Sequence, residues 1–442
     1  MFNEAAQTMP REALRREQTL RLQRQVLRVY ERVPFYRSRL DAAGIDPHGV
    51  RGLDDLRRLP FTSKYDMRDV FPFGLLAVDR ADIVEVHMSS GTTGKPVVDA
   101  YTRGDLAIWG DVMGRTLDMG DVGPSDAVQV AYGYGLFTGG FGAHYGAQAV
   151  GATAIPISSG NTHRQLETLR DFGTDALCCT PSYALYIAEY AVKHGVDPVS
   201  LPLRAGFLGA EPWSSEMREE IERRLGITAF DIYGLTEIIG PGVGAECPAQ
   251  DGLHLFEDHF YPEVVDPDTG EPLPDGEVGE LVLTTLTREG TPVLRYRTRD
   301  ITYLMAEPCP CGRTSRRIHR LMGRTDDMLI IRGVNVFPQQ VEQVLLRVQG
   351  VEPHYRIVVD REGSMDTMTV EVEMSEQLFS DDLGVVIALE RSIERELHAE
   401  LGIQASCALV NPRTIERSEG KAKRVFDRRK VTTHVVQRAE DR

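Results

Sequence analysis

From residue 126 onward, short apolar runs of strand length alternate with amphipathic helical stretches. The runs are "DAVQVAY", "ATAIPIS", "DALCCT", "RAGFLGAE" and "ITAFDIYG". Between them lie "THRQLETLRDFG", "PSYALYIAEYAVKHG" and "PWSSEMREEIERRLG". Repeated strand–helix–strand order predicts a parallel sheet covered by helices, with ligands beyond the carboxyl ends of its strands. From about 252 to 304 the texture changes. "FYPEVVDPDTGEPLPDGEVGELVLTTLT" sets Pro/Gly/Asp turns between alternating strands, which predicts antiparallel pairing. A second pattern follows "GRTDDMLIIRGVNVFP": helix 338–349, two strands over about 355–374, helix 383–401, strand 404–410 and a polar tail. The expected organisation is a large domain, 1–325, and a small α+β domain, 326–442, joined near Asp326. At the N-terminus, Leu22, Val26, Val29 and Val33 recur at helical spacing in an Arg-rich stretch, which predicts a surface helix.

A chain of 442 residues is too long for one compact core. With 50 Lys+Arg against 66 Asp+Glu, the net charge of −16 argues against nucleic acid or an anionic membrane as main partner. No apolar run reaches the ~18 residues of a membrane span, and no apolar h-region opens the chain. A cytoplasmic protein is expected. Six cysteines make no disulfide framework. Cys178, Cys179 and Cys407 lie in apolar runs and read as buried strand residues. Cys247, Cys309 and Cys311 stand apart. "CPCG" places two thiols in one turn, and Cys247 with His254 could complete four ligands for a structural Zn²⁺, with His259 the alternative fourth.

"SSGTTGKP" (89–96) lies between two alternating, strand-like flanks, "IVEVHM" and "VVDAYT". A Walker loop needs four residues between its glycines and a helix after its lysine. Here two residues separate Gly91 from Gly94, Pro96 follows Lys95, and a strand follows that. The polyphosphate logic survives the failed spacing. Glycines expose N–H groups, hydroxyls add donors and lysine adds charge.

This loop resembles the phosphate loop of the adenylate-forming enzymes: acyl-CoA synthetases, adenylation domains and luciferases. Four more stretches resemble that superfamily in order: "YGLTE" (233–237), "YRTRD" (296–300), "GRTDDMLIIRGVNVFPQQVE" (323–342) and "ERSEGKAKR" (416–424). Within it, "YGYGLFTGGFGAHYGA", "GAEPWS", "YGLTEIIGPGV", "GLHLFEDHFYPE" and "CPCGRTSRRIHRLMGR" resemble the phenylacetate–CoA ligases. Arg299 departs from the wider superfamily, where glycine is usual.

The resemblance implies an ATP-dependent aryl-carboxylate ligase that makes an acyl-adenylate and then a CoA thioester. Ser90, Gly91, Thr92, Thr93, Gly94 and Lys95 would hold the β- and γ-phosphates, and Glu237 with a threonine hydroxyl would hold Mg²⁺. Adenine would lie between Gly209, Ala210, Glu211 and Pro212 on one side and Asp231, Ile232, Tyr233 and Gly234 on the other, with Thr236 nearby. Asp300 can accept from both ribose hydroxyls, and Arg324 could add a ribose or phosphate contact. Tyr132, Tyr134, Phe137 and Phe141 would wall a flat acid pocket, with Gly135, Ile238, Gly240 and Pro241 as further lining. The tail 411–430 carries eight Lys/Arg against three acids, and Lys421 in it is the expected catalytic lysine. Asp326 is the expected hinge. A homodimer is implied by the relatives. Two other readings stand beside this one: an adenylation enzyme that delivers its acyl group to a carrier protein or amine, and an inactive nucleotide- or zinc-binding scaffold. Lys95, Glu237, Asp300 and Lys421 speak against the scaffold.

Overall fold

The computed structural model describes residues 1–89, 95–332, 334–362, 365–376 and 383–429. The phosphate-loop residues Ser90, Gly91, Thr92, Thr93 and Gly94 lie outside them. The chain forms two units. One comprises Met1–Trp213, Arg218–Asp326 and Ser418–Ala422; the other comprises Ser214–Met217, Asp327–Arg417 and the chain from Lys423 on. Among the described residues, no helix is long and apolar enough to cross a membrane.

The strands of the larger unit begin with an antiparallel hairpin, β1 (Glu85–Met88) and β2 (Val98–Tyr101), which flanks the phosphate loop in sequence. Then follow β3 (Ala127–Val130), β4 (Thr153–Ile155), β5 (Ala176–Cys179), β6 (Ala205–Gly209), β7 (Thr228–Leu235), β8 (Gly240–Glu246) and β9 (Leu253–Leu255). The remainder are β10 (Phe260–Val265), β11 (Gly279–Thr285), β12 (Tyr296–Thr302), β13 (Leu304–Met305), β14 (Arg317–Ile318) and β15 (Gly323–Arg324).

Nine of them make one sheet in the order β13-β14-β9-β8-β7-β6-β5-β3-β4. Its β4–β3–β5–β6–β7 part is parallel. β5 and β6 are buried throughout, as strands covered on both faces must be. Helix Thr162–Asp171, capped by Asn161, leads from β4 to β5, and helix Pro181–Lys193, capped by Thr180 with Pro181 at the first position, leads from β5 to β6. Cys178 and Cys179 are fully buried in β5 and Cys407 is buried in the smaller unit, as expected.

β10, β11, β12 and β15 form the antiparallel sheet that the turn-rich stretch predicts. Along β12 burial alternates, placing Tyr296, Thr298, Asp300 and Thr302 inward. The N-terminal surface helix, Arg11–Arg32, is more deeply embedded than a solvated helix: Leu22, Val26 and Val29 are fully buried, and Pro34 opens a second helix, Pro34–Ala42.

The smaller unit has a two-stranded ribbon, β16 (Leu329–Ile331) with β17 (Val334–Val336), and a four-stranded sheet. In that sheet β18 (Val351–Glu362) and β19 (Met365–Met374) pair antiparallel, and β20 (Ser406–Val410) joins β19 in parallel. Helices Pro338–Arg347 and Leu383–Leu401 pack on it. The tail is not wholly irregular. β21 (Val425–Asp427) adds to β18 in parallel, a long-range pairing that three residues between charges do not announce.

Candidate active site

Tyr233 on β7, Asp300 on β12 and Arg324 on β15 meet in one hydrogen-bonded line. The Tyr233 hydroxyl donates to Asp300 Oδ2 at 2.6 Å, and Arg324 donates to Asp300 Oδ1 at 2.7 Å. Arg324 also holds Asp326, at 2.9 and 3.1 Å. Burial raises the Asp300 carboxyl pKa against the pull of Arg324. Burial and the Asp300 charge raise the Tyr233 phenol. Arg324, expected on nucleotide, is thus bound to the carboxylate expected on ribose. Each carboxylate oxygen keeps a second lone pair for a ligand hydroxyl.

β6 and β7 lie side by side, so Gly209 at the end of β6 pairs with Ile232. A Cβ on Gly209 would meet the Ile232 carbonyl at 2.4 Å, and one on Gly234 the Gly240 carbonyl at 2.1 Å. Both positions exclude larger residues. Ala210 takes a positive φ of 68°. Glu211 accepts from the Ser182 N–H at 2.7 Å and from the Ala422 N–H at 2.9 Å. Thr180 donates to the Gly420 carbonyl at 3.0 Å. Ser418–Ala422 belongs to the larger unit through such bonds, and Lys421 within it is exposed. Lys423, its neighbour, instead lies over the Phe426 ring at 4.8 Å. Asp231 pairs with Arg320 at 3.4 Å. Thr236 and Glu237 follow β7 and are buried, and Lys64 Nζ lies 3.7 Å from Glu237 Oε1. Lys95 is exposed.

The aromatic residues gather elsewhere in the same unit. Tyr134 and Phe141 meet edge-on at 5.2 Å, and the Tyr134 hydroxyl lies 3.3 Å from His144 Nδ1. Tyr132 is buried and reaches the Phe207 carbonyl at 3.4 Å. Phe137 is partly open to solvent and Gly135 has φ 115°. Trp109 donates to the Pro241 carbonyl at 2.8 Å, and a Cβ on Gly240 would strike Trp109 and Thr138 at 2.7 Å. Ile238 is fully buried in the core. Sequence reading missed Trp109, Lys64, Glu85, His87 and Tyr145. Glu85 and His87, two apart on a strand just before the phosphate loop, share one face, and that spacing was the available signal.

A third cluster stands at the far edge of the nine-stranded sheet. Ligand atoms of Cys247, His254, Cys309 and Cys311 all lie within 4.8 Å of one another. Cys247 Sγ is 3.5 Å from Cys309 Sγ, and Cys311 Sγ is 3.3 Å from His254 Nε2. His254 Nδ1 faces Ser315 Oγ at 3.2 Å, which leaves Nε2 toward the thiols. Burial pushes the Cys247 thiol up to about 12. Burial also acts on Cys311, but the hydrogen bonds from His254 and the Arg313 N–H outweigh it and hold that thiol down at about 5. His259 points away, toward Thr287 and Asp258.

The AMP-binding enzyme family matches residues 28–286, and the AMP-binding enzyme C-terminal domain matches residues 333–429. The phenylacetate–coenzyme A ligase of Thermus thermophilus is 51% identical over 97% of this chain and 100% of its own length. That of Escherichia coli is 49% identical over 94% of each chain. The crystal structure of 2-hydroxyisobutyryl-CoA ligase in complex with 2-HIB-AMP superposes with a TM-score of 0.91 at 30% identity, covering 96% of this chain and 91% of that one. Five ordered motifs, a matching fold and near full-length identity converge: the chain belongs to the phenylacetate–CoA ligase family of adenylate-forming enzymes and is an AMP-forming acid–thiol ligase that uses ATP and CoA.

Proposed function

We propose that the acid is phenylacetate or a close aryl analogue of the benzoate or anthranilate type. The observation that carries this is the aromatic cluster of Tyr134 and Phe141 in a chain about half identical to two phenylacetate–CoA ligases. A carboxylate oxygen attacks the α-phosphorus of ATP, and the bond to pyrophosphate breaks. The thiol of CoA then attacks the acyl carbonyl and AMP leaves. Lys421 offsets the charge of the first transition state. Lys95 and Ser90–Gly94 hold the departing phosphates. Tyr233, Asp300 and Arg324 hold the nucleoside, with Gly209–Pro212 and Asp231–Gly234 around adenine. Asp326, where the Arg218–Asp326 stretch of the larger unit gives way to Asp327–Arg417 of the smaller, is the proposed hinge between half-reactions. Pyrophosphate exchange screened across aryl acids tests the acid. CoA-independent AMP release would favour delivery to a carrier or amine instead.

Two metals fit the residues present. Glu237 supplies the single carboxylate that Mg²⁺ takes beside phosphate oxygens and water. Bound there, Mg²⁺ would neutralise phosphate charge. Cys247, His254, Cys309 and Cys311 would supply the four ligands of a structural Zn²⁺, which is proposed here, with Ser315 facing the other nitrogen of His254. It would tie the β13–β14 edge to β8 and β9. Elemental analysis of chelator-washed protein should find about one Zn per chain. Absence of metal, with freely titratable Cys309 and Cys311, would refute it. A homodimer is proposed as well, and sedimentation tests it.

A further inference from the structure

His87 has only 1% of its surface exposed, and the roles assigned above do not use it. It lies on β1, three residues before Ser90. Its ring is set edge-on among three others: Tyr101 at 5.4 Å, Trp109 at 5.5 Å and Phe141 at 5.2 Å. Both ring nitrogens face oxygen acceptors. Nε2 is 2.6 Å from Glu85 Oε1, and Nδ1 is 3.3 Å from the Leu136 carbonyl. The same carbonyl accepts the Met88 N–H at 2.7 Å. The other oxygen of Glu85 accepts the Tyr145 hydroxyl at 2.6 Å. Tyr145 lies on helix Thr138–Ala149, which begins where the 131–137 loop ends.

The loop needs such an anchor at this point. Leu136 is 57% exposed, so its side chain does not pin the backbone by burial. Gly135, with φ 115°, adds no side chain. What holds Leu136 in place is the pair of hydrogen bonds from Met88 and His87. Glu85 and Tyr145 in turn fix the His87 ring, so strand, loop and helix form one closed network. Burial acts to raise the Glu85 carboxyl, and the bonds from His87 and Tyr145 outweigh it, which keeps the acceptor charged.

We propose that His87 is a positioning residue for the acid. It locks the loop carrying Tyr132, Tyr134 and Phe137 to the strand that leads into the phosphate loop, so that the bound carboxylate is registered against the α-phosphate. This rests on the reading that those aromatics line the acid site. Reacting atoms must sit about 3–3.5 Å apart, and a displacement of about 1 Å costs on the order of 10²-fold in rate.

His87→Phe keeps a ring for the aromatic nest and removes both ring nitrogens. In pyrophosphate exchange it is expected to raise the KM for the acid about tenfold or more while the KM for ATP stays within about twofold. Tyr145→Phe removes one hydroxyl from Glu85 and should move the acid KM the same way, by about threefold. Equal rises in both KM values, or an unchanged acid KM in folded His87→Phe, would overturn the proposal. Should His87→Phe fail to give a cooperative thermal transition, Tyr145→Phe decides, and an unchanged acid KM there overturns it too. Tyr134→Ala and Phe141→Ala separate the two layers of argument. If neither changes the acid KM, the pocket reading fails; if they raise it and His87→Phe does not, only the role of His87 falls.

Discussion

The nucleotide corner and the acid corner of the larger unit are built on different physics. Around Asp300 the contacts are few, polar and directional: a phenol, a guanidinium and a carboxylate joined at 2.6 and 2.7 Å. Around Phe141 the contacts are many and ring-to-ring, drawn from β1, β2 and the helices Arg103–Asp118 and Thr138–Ala149. Directional bonds tolerate no change of residue type, whereas an aromatic wall can be re-shaped by exchanging one ring for another. Substitutions in the first corner should therefore cost activity with every acid. Those in the second should change which acid is preferred.

Lys421→Ala should have the largest effect. Acyl-adenylate formation is expected to fall by about two orders of magnitude or more, the scale for removing one group that stabilises developing charge. Thioester formation from pre-made acyl-adenylate and CoA should survive. Lys423, already over Phe426, should not show this split. If Lys423→Ala shows it and Lys421→Ala does not, the catalytic lysine has been misplaced.

Asp300→Ala comes next. Loss of charged hydrogen bonds to ribose should weaken ATP binding by about 1.5–3 kcal/mol, equally with every acid. Titration of ATP by calorimetry measures it, and an unchanged affinity would place the ribose contact elsewhere.

The two corners also differed in how well the sequence revealed them. Tyr233, Glu237, Asp300 and Arg324 sit in short contiguous motifs, because polar chemistry demands particular residue types at particular spacings. The strand–helix alternation likewise exposed the parallel sheet, since burial on both faces leaves unbroken apolar runs such as β5. Trp109, His87 and Tyr145 were missed. Their roles arise only when β1, helix Arg103–Asp118 and helix Thr138–Ala149 come together, and no local pattern records that. β21 escaped for the same reason. The zinc-type cluster was legible as three thiols and a histidine, but the choice of His254 over His259 needed the pairing of β9 with β14.

Tyr134→Phe probes the aromatic corner. It keeps the ring and removes the hydroxyl that faces His144. The change in kcat/KM should be about 0.5–1.5 kcal/mol, the net scale of one neutral hydrogen bond. It should differ between phenylacetate and a hydroxylated analogue, with the KM for ATP unmoved. A uniform loss with every acid would place Tyr134 in the adenylation machinery and erase the distinction.

Arg299→Gly should have the smallest effect, and it tests whether the nucleotide corner contains another cation. Arg299 has φ 69°, a conformation that disfavours side chains. The cause is local: the register of β11 with β12 slips between the Glu280–Ile301 and Val282–Arg297 pairs. A bulge of this kind commonly takes glycine in the left-handed region and re-aims the neighbouring side chain, here Asp300. That accounts for the glycine usual in the wider superfamily. The backbone bonds survive substitution, since the residue-299 N–H donates to Glu280 at 3.1 Å and its carbonyl accepts from Thr325 at 2.8 Å. Glycine relieves about 1–2 kcal/mol of left-handed strain and adds about 0.5–1 kcal/mol of unfolded-state freedom. The variant should thus match the parent's stability or exceed it by up to about 1.5 kcal/mol in urea unfolding, with the KM for ATP within about twofold. A marked loss of ATP binding at full stability would mean that the Arg299 guanidinium reaches the nucleotide, and that this branch exchanged backbone ease for a charge.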